Sequence, residues 1–177
     1  MRTPIVLTCG SVLLSACASV TSDYYADICV TAERNGRLDV AEKACYRALT
    51  DVDWGNLGPE LKSQRLYNLG RIKRLLSKAS EAEDLFKQSL SIEEKLSGPT
   101  DPKIGRRLVE LSLVLAAQDK WAEGAQYLER AIPISDQFVG QGRSFAALVF
   151  SEYGKHFRKT DQPQLAERFE SKSAALK

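Results

Sequence analysis

Apolar positions between residues 101 and 132 recur at helical spacing. Leu108, Leu111 and Leu115 return every three or four residues, and Trp121 and Leu128 continue the pattern after the short break Gln118-Asp119-Lys120. This predicts two amphipathic helices joined by a tight turn. Asp101-Pro102 supplies a start signal for the first. Small residues (Ser112, Gly124, Ala131) sit among the bulky ones, where two helices must approach closely. Such a unit has an apolar face that it cannot bury alone, so it needs neighbours of its own kind.

The neighbours are visible at a fixed period. With Gly124 as the marker of a second helix, Ala41, Ala82 and Ala166 hold the equivalent place, at intervals of 41, 42 and 42 residues. The flanks return as well. Tyr25, Ile28 and Cys29 precede Ala41, Cys45, Ala48 and Leu49; Leu66, Leu69 and Gly70 precede Ala82, Phe86 and Leu90; Phe150, Tyr153, Gly154 and Phe157 precede Ala166. The expected helix pairs are 23–35 with 38–50, 60–77 with 79–97, 102–118 with 121–138, and 143–159 with 163–176. Gly36 marks the first intra-repeat turn, 51–59 an irregular joint, and Gly140 with Gly142 the last joint. Pro133 should kink or shorten the helix that contains it. No sustained alternation of β-branched residues argues for strands.

Leu69-Gly70 followed by Ala82, Phe86 and Leu90 resembles the tetratricopeptide repeat, with its Leu-Gly pair and its Ala-x-x-x-aromatic run. The 42-residue period and the joint Ser97-Gly98-Pro99-Thr100-Asp101-Pro102 resemble the longer-helix variant of kinesin light chains. Ser89, Gly124 and Glu170 depart from the pattern. The resemblance implies an all-α protein, a right-handed solenoid of about four helix–turn–helix repeats over residues 23–177, and a function in binding other proteins. In the last helix Glu170, Glu167, Arg168 and Lys172 would keep the outer face polar, as a terminal repeat requires.

The first sixteen residues read differently. Met1-Arg2 precedes a short apolar run at 5–14, too short to span a bilayer and suited to a signal peptide. The run ends Leu14-Ser15-Ala16-Cys17, which resembles the bacterial lipobox. That resemblance implies removal of residues 1–16, Cys9 included, and lipidation of Cys17, with residues 17–22 as a short tether. Ala18-Ser19 is similar to the sorting signal of outer-membrane lipoproteins. A protein carried by several acyl chains would be stably anchored in the membrane, lying close to it and probing the periplasm.

Charge and chemistry narrow the function further. Without Arg2, 24 basic residues face 23 acidic ones, so no basic excess argues for nucleic acid. His156 is the only histidine, which leaves no metal-ligand cluster. No phosphate loop or nucleophile elbow is present, and no cofactor or enzymatic activity is expected. Cys29 and Cys45 occupy positions that face each other in the family. Either a disulfide in an oxidising periplasm or a pair of small core residues would suit them.

In solenoids of this family the concave surface is lined by the first helix of each repeat. By register the candidate groove comprises Tyr67, Arg71 and Arg74 in repeat two, Arg106, Val109 and Leu113 in repeat three, and Lys155 and Arg158 in repeat four. Basic ends with an apolar middle would suit a peptide with apolar anchors and acidic groups. The expected role is a membrane-anchored adaptor for protein partners in the cell envelope. An alternative is a binder of an anionic cell-wall or glycan fragment through Arg71, Arg74, Lys155 and Arg158. The sequence does not fix the oligomeric state.

Overall fold

The computed structural model describes residues 9–177, and the Met1-Arg2 charge and the start of the apolar run at 5–14 lie outside the described residues. Eight α-helices follow one another as antiparallel hairpins: α1 (Cys9–Arg34) with α2 (Leu38–Gly55), α3 (Pro59–Leu75) with α4 (Ala79–Leu96), α5 (Pro102–Ala116) with α6 (Trp121–Ala131), and α7 (Gly140–Lys159) with α8 (Pro163–Ala175). No strand occurs among the described residues. Each hairpin packs on the next, giving the all-α solenoid of four repeats.

The turn inside each hairpin is built the same way. Gly36, Ser77, Asp119 and Asp161 all have left-handed φ, between 56° and 69°. In each, the amide of the following residue reaches back to the helix: Arg37 to Ala32, Lys78 to Lys73, Lys120 to Leu115 and Gln162 to Phe157, at 2.9 Å. This is the six-to-one Schellman closure, which satisfies carbonyls that the helix end would leave orphaned. Asp101 caps α5 by accepting from the Lys103 amide at 2.7 Å, and Pro102 fills the first helical position.

The hairpins touch at one repeated pair of positions, sixteen residues apart. A small residue on the first helix faces a side chain on the second: Gly70 under Phe86, Gly154 under Glu170, and Cys29 with Cys45, and buried Ser112 and Leu128 hold the same spacing in the third repeat. A Cβ on Gly70 would lie 2.8 Å from the Phe86 ring, and one on Gly154 2.7 Å from Glu170 Cγ. In the first repeat the pair is a disulfide with Cα atoms 5.2 Å apart. Phe86 and Leu128 are fully buried, and burying each is worth roughly 1.5–3 kcal/mol. The main core runs from Ala82 through Leu176, and a smaller cluster around the disulfide joins repeat one to Leu69 and Ile72.

Three expectations need correction. Helix α2 continues to Gly55, so much of the supposed joint at 51–59 is helical. The last joint ends at Gly140, whose φ is +53°, and Gly142 already lies inside α7. Most consequential, α1 runs unbroken through Cys17, so residues 17–22 form no tether. Ala18 and Ser22 are buried, and the Ser22 hydroxyl donates to the Ala48 carbonyl at 3.0 Å. At Pro133, by contrast, α6 stops at Ala131 and gives way to a turn and the short 3-10 helix Ser135–Gln137.

Candidate functional site

The concave side is crossed by a chain of charges. Arg71 on α3 donates to Glu33 on α1, and its Nε lies 3.8 Å from Glu110 on α5. Arg74 Nε lies 2.7 Å from Glu110 Oε2. Its N–H is not aimed at that oxygen, so the two attract as charges without a well-formed hydrogen bond. Arg74 also places its guanidinium 5.4 Å from the centre of the Phe145 ring on α7. Burial pushes the Glu110 carboxyl up, against the pull of Arg74 and Arg71. Arg71 and Arg74 therefore stitch the first three repeats together and are not the freely available cations that register suggested.

Other groove residues are also placed differently from expectation. Val109 is 1% exposed and lies beneath Phe138 and Phe145, so it is core and not groove floor. Arg158 turns toward α8 and pairs with Glu170. Arg168 and Lys172, expected on the outer end, reach back to Glu129 and Asp136 of repeat three. Leu113 is half-buried, and Lys155 and Arg106 are exposed.

What remains open is a cleft of about 720 Å³ between α3 and α5, near their N-terminal ends. Leu57, Pro59 and Leu61 form its apolar wall, Tyr67 its floor, and Arg106 with Lys103, whose ammonium lies 3.5 Å from Glu93, its rim. The Tyr67 ring is fixed by Phe86 at 5.9 Å and by the Arg107 guanidinium at 5.1 Å. Burial, reinforced by Glu110, pushes its phenol up, so it stays protonated.

Sequence reasoning missed the buried clasp behind that cleft. Arg107 Nε donates to Ser89 Oγ at 2.7 Å and Nη2 to Ser63 Oγ at 2.9 Å, while Nη2 pairs with Glu93 at 2.9 Å. Burial opposes the Glu93 charge, but Arg107 and the Ser63 and Ser97 hydroxyls hold its pKa below the ordinary carboxylate value. Arg65 does the same one repeat earlier, donating to Ser22 Oγ at 3.2 Å and to Asp23. Arg65 and Arg107 stand 42 residues apart, and Ser22 and Ser63 stand 41 apart. That shared register was the available signal. The equivalent place in repeat four is Val149, fully buried.

Among the described residues no cluster of His, Cys, Asp or Glu could hold a metal ion, and no helix is long and apolar enough to cross a membrane. The fold is a helical-repeat scaffold with an open cleft, an architecture that supports protein–protein interaction. Residues 61–137 match the family model of the tetratricopeptide repeat. Solved structures agree in fold. BtubC from P. vanneervenii superposes with TM-score 0.76 at 18% identity over 90% of this chain, which spans 64% of BtubC. The kinesin light chain with nearly identical TPR-like repeats from Podosopora anserina gives 0.67 at 16% identity, over 94% of this chain and 84% of its own. MamA gives 0.66 at 12%, over 88% and 77%. No curated protein matches the chain by sequence. Arrays of this family are in general non-enzymatic scaffolds.

Proposed function

We propose that the chain is an envelope lipoprotein, anchored through Cys17 in the outer membrane and facing the periplasm, which captures an extended segment of a protein partner in the cleft between α3 and α5. The cleft carries this reading. It offers an apolar wall and an aromatic floor beside Arg106, which has no carboxylate partner among the described residues, whereas Lys103 pairs with Glu93 and the cations deeper in the concave surface also hold carboxylates. The segment that complements it has an apolar anchor followed by an acidic side chain. The anchor is supported by the Leu14-Ser15-Ala16-Cys17 run and by the exposure of Cys17. The anionic-glycan reading loses most of its cations: Arg71, Arg74 and Arg158 are paired, leaving Lys155 of that set without a carboxylate partner among the described residues.

Two measurements test the proposal. Metabolic labelling with a fatty acid should mark the wild type and not Cys17→Ala; equal labelling of both removes the anchor. Crosslinking and pull-down from intact envelopes should recover a protein partner that Arg106→Glu loses. Arg106 is exposed and free of ion pairs among the described residues, so the substitution should change stability by no more than about 0.5 kcal/mol. Undiminished capture by Arg106→Glu would place the binding surface elsewhere.

A further inference from the structure

The two ends of the solenoid are finished differently. On the last repeat Leu148 is the only large apolar side chain strongly exposed on α7 or α8. On the first repeat Val20, Tyr24, Tyr46 and Trp54 are each more than 60% exposed. A terminal repeat left in water needs a polar outer face, and repeat one does not have one.

Three of those four residues surround Cys17. Val20 and Tyr24 follow it by three and seven positions on α1, hence on the same stripe of the helix, within about 10 Å along its axis. Trp54 on α2 lines a cavity of about 360 Å³ together with Cys17, Thr21 and Thr50. Cys17 itself is exposed and belongs to a continuous helix packed on α2 through Ala18 and Ser22. An acyl group on its sulfur would therefore reach the folded domain with no slack between them.

We infer that the outer face of repeat one, made by Val20, Tyr24 and Trp54 around Cys17, lies against the bilayer and seats its aromatic rings at the headgroup level. Trp and Tyr favour this depth because each joins an apolar body to a polar tip. The attraction is not electrostatic: between residues 17 and 56 seven acidic side chains outnumber four basic ones. The contact thus depends on ring insertion and should persist in high salt, where a basic patch would release. The solenoid then starts at the membrane surface, and the open cleft lies near it, since its wall residues Leu57, Gly58 and Leu61 also line a pocket with Ser15, Ala16 and Ser19.

This inference rests on the anchor proposed at Cys17, and the experiment separates the two. Trp121→Phe leaves Trp54 as the only tryptophan. The lipidated protein is reconstituted into vesicles of phosphatidylethanolamine and phosphatidylglycerol. If labelling shows no acylation, the anchor proposal fails by itself, and a Cys9→Ser protein is coupled through the Cys17 thiol to a maleimide headgroup in the same vesicles. Expected on either route are a blue shift of Trp54 emission, quenching by acyl-chain bromines, and loss of quenching by aqueous iodide, all unchanged in molar salt. Val20→Glu with Tyr24→Glu should reverse each signal while the protein stays attached and helical. Trp54 that remains iodide-quenched on attached protein overturns the inference. So does protection that appears without vesicles and grows with protein concentration, which would mean that the face pairs with a second copy.

Discussion

Gly124 offers the sharpest test of how the third and fourth repeats fit together. A Cβ added there would overlap the Tyr153 hydroxyl, with the ring carbon Cζ at 2.9 Å and the Ser112 carbonyl oxygen at 3.2 Å. Tyr153 cannot easily step aside. It is fully buried, its hydroxyl donates to that Ser112 carbonyl at 2.7 Å, and Trp121 and Phe169 meet its ring at 5.0 and 5.8 Å. In a free helix Gly→Ala gains about 1 kcal/mol. Here overpacking costs about 1–3 kcal/mol, and displacing the hydroxyl removes a buried hydrogen bond worth about 1 kcal/mol. The balance for Gly124→Ala is a loss of about 2 kcal/mol, a fall in melting temperature of about 4–8 °C for a chain of this size. Urea unfolding followed by circular dichroism measures it. Because the nearest atom is the hydroxyl, Gly124→Ala should cost markedly less in a Tyr153→Phe background. Equal costs in both backgrounds, or a stabilised Gly124→Ala, would refute the reasoning.

Four further outcomes follow from named contacts. Arg71→Glu with Arg74→Glu should lower stability by about 2–3 kcal/mol, below the 3–5 kcal/mol of a fully buried pair because both arginines are partly exposed, and Glu110→Gln should recover part of it in thermal melts. Denatured, unreduced protein from an oxidising compartment should show no free thiol at Cys29 or Cys45, and reduction should cost about 3 kcal/mol for a loop of this length. Ser77→Gly should raise the melting temperature, since its left-handed backbone costs a non-glycine residue about 1–2 kcal/mol and glycine's extra chain entropy returns only part of that. Burial opposes the Glu83 charge, but hydrogen bonds from Lys120, Lys87 and Gln118 hold its pKa down to about 2. A depressed carboxyl contributes stability above its unfolded pKa, and that contribution disappears as pH falls through the folded value. Acid titration from about pH 4.5 toward 2 should therefore destabilise wild type more than Glu83→Gln.

The architecture was legible because it repeats. A small residue at Ala41, Ala82, Gly124 and Ala166 has one physical reason, close helix approach, and the same reason applies at every period. The turn chemistry was half visible: Gly36 announces a left-handed residue, whereas Ser77, Asp119 and Asp161 adopt the same conformation without glycine because the Schellman closure holds them there. The candidate groove was the least legible part. Register places Arg71, Arg74, Val109 and Arg158 on first helices, but it does not report what the neighbouring repeat supplies. Glu33, Glu110, Phe145 and Glu170 arrive from other elements and convert an apparent basic groove into internal bracing. Continuity of α1 was hidden for a different reason, since Ala18 and Ser22 are small enough to read as linker while being sized for contact with α2.

Bracing and binding are connected on the concave side. Glu33, Arg71, Glu110 and Arg74 link three successive first helices, and Arg74 extends the link to Phe145 in the fourth repeat. Behind them Arg65 and Arg107 tie each of the first two repeats to its successor through buried hydroxyls. Changing the curvature of the stack would separate these charges from partners in a poorly solvated setting, where an unpaired charge is costly. The curvature is therefore fixed before any partner arrives. Tyr67 stands where the two systems meet: Arg107 and Phe86 hold its ring from behind, and its open side forms the floor of the cleft. A partner segment entering there, as proposed, would meet a preformed surface and order little of the scaffold, so less of its contact energy would be spent on reorganisation. On the proposed reading specificity then falls to Arg106 on the exposed rim, whose side chain has no ion pair among the described residues and can be exchanged without disturbing the brace, whereas Lys103 pairs with Glu93 of the buried clasp.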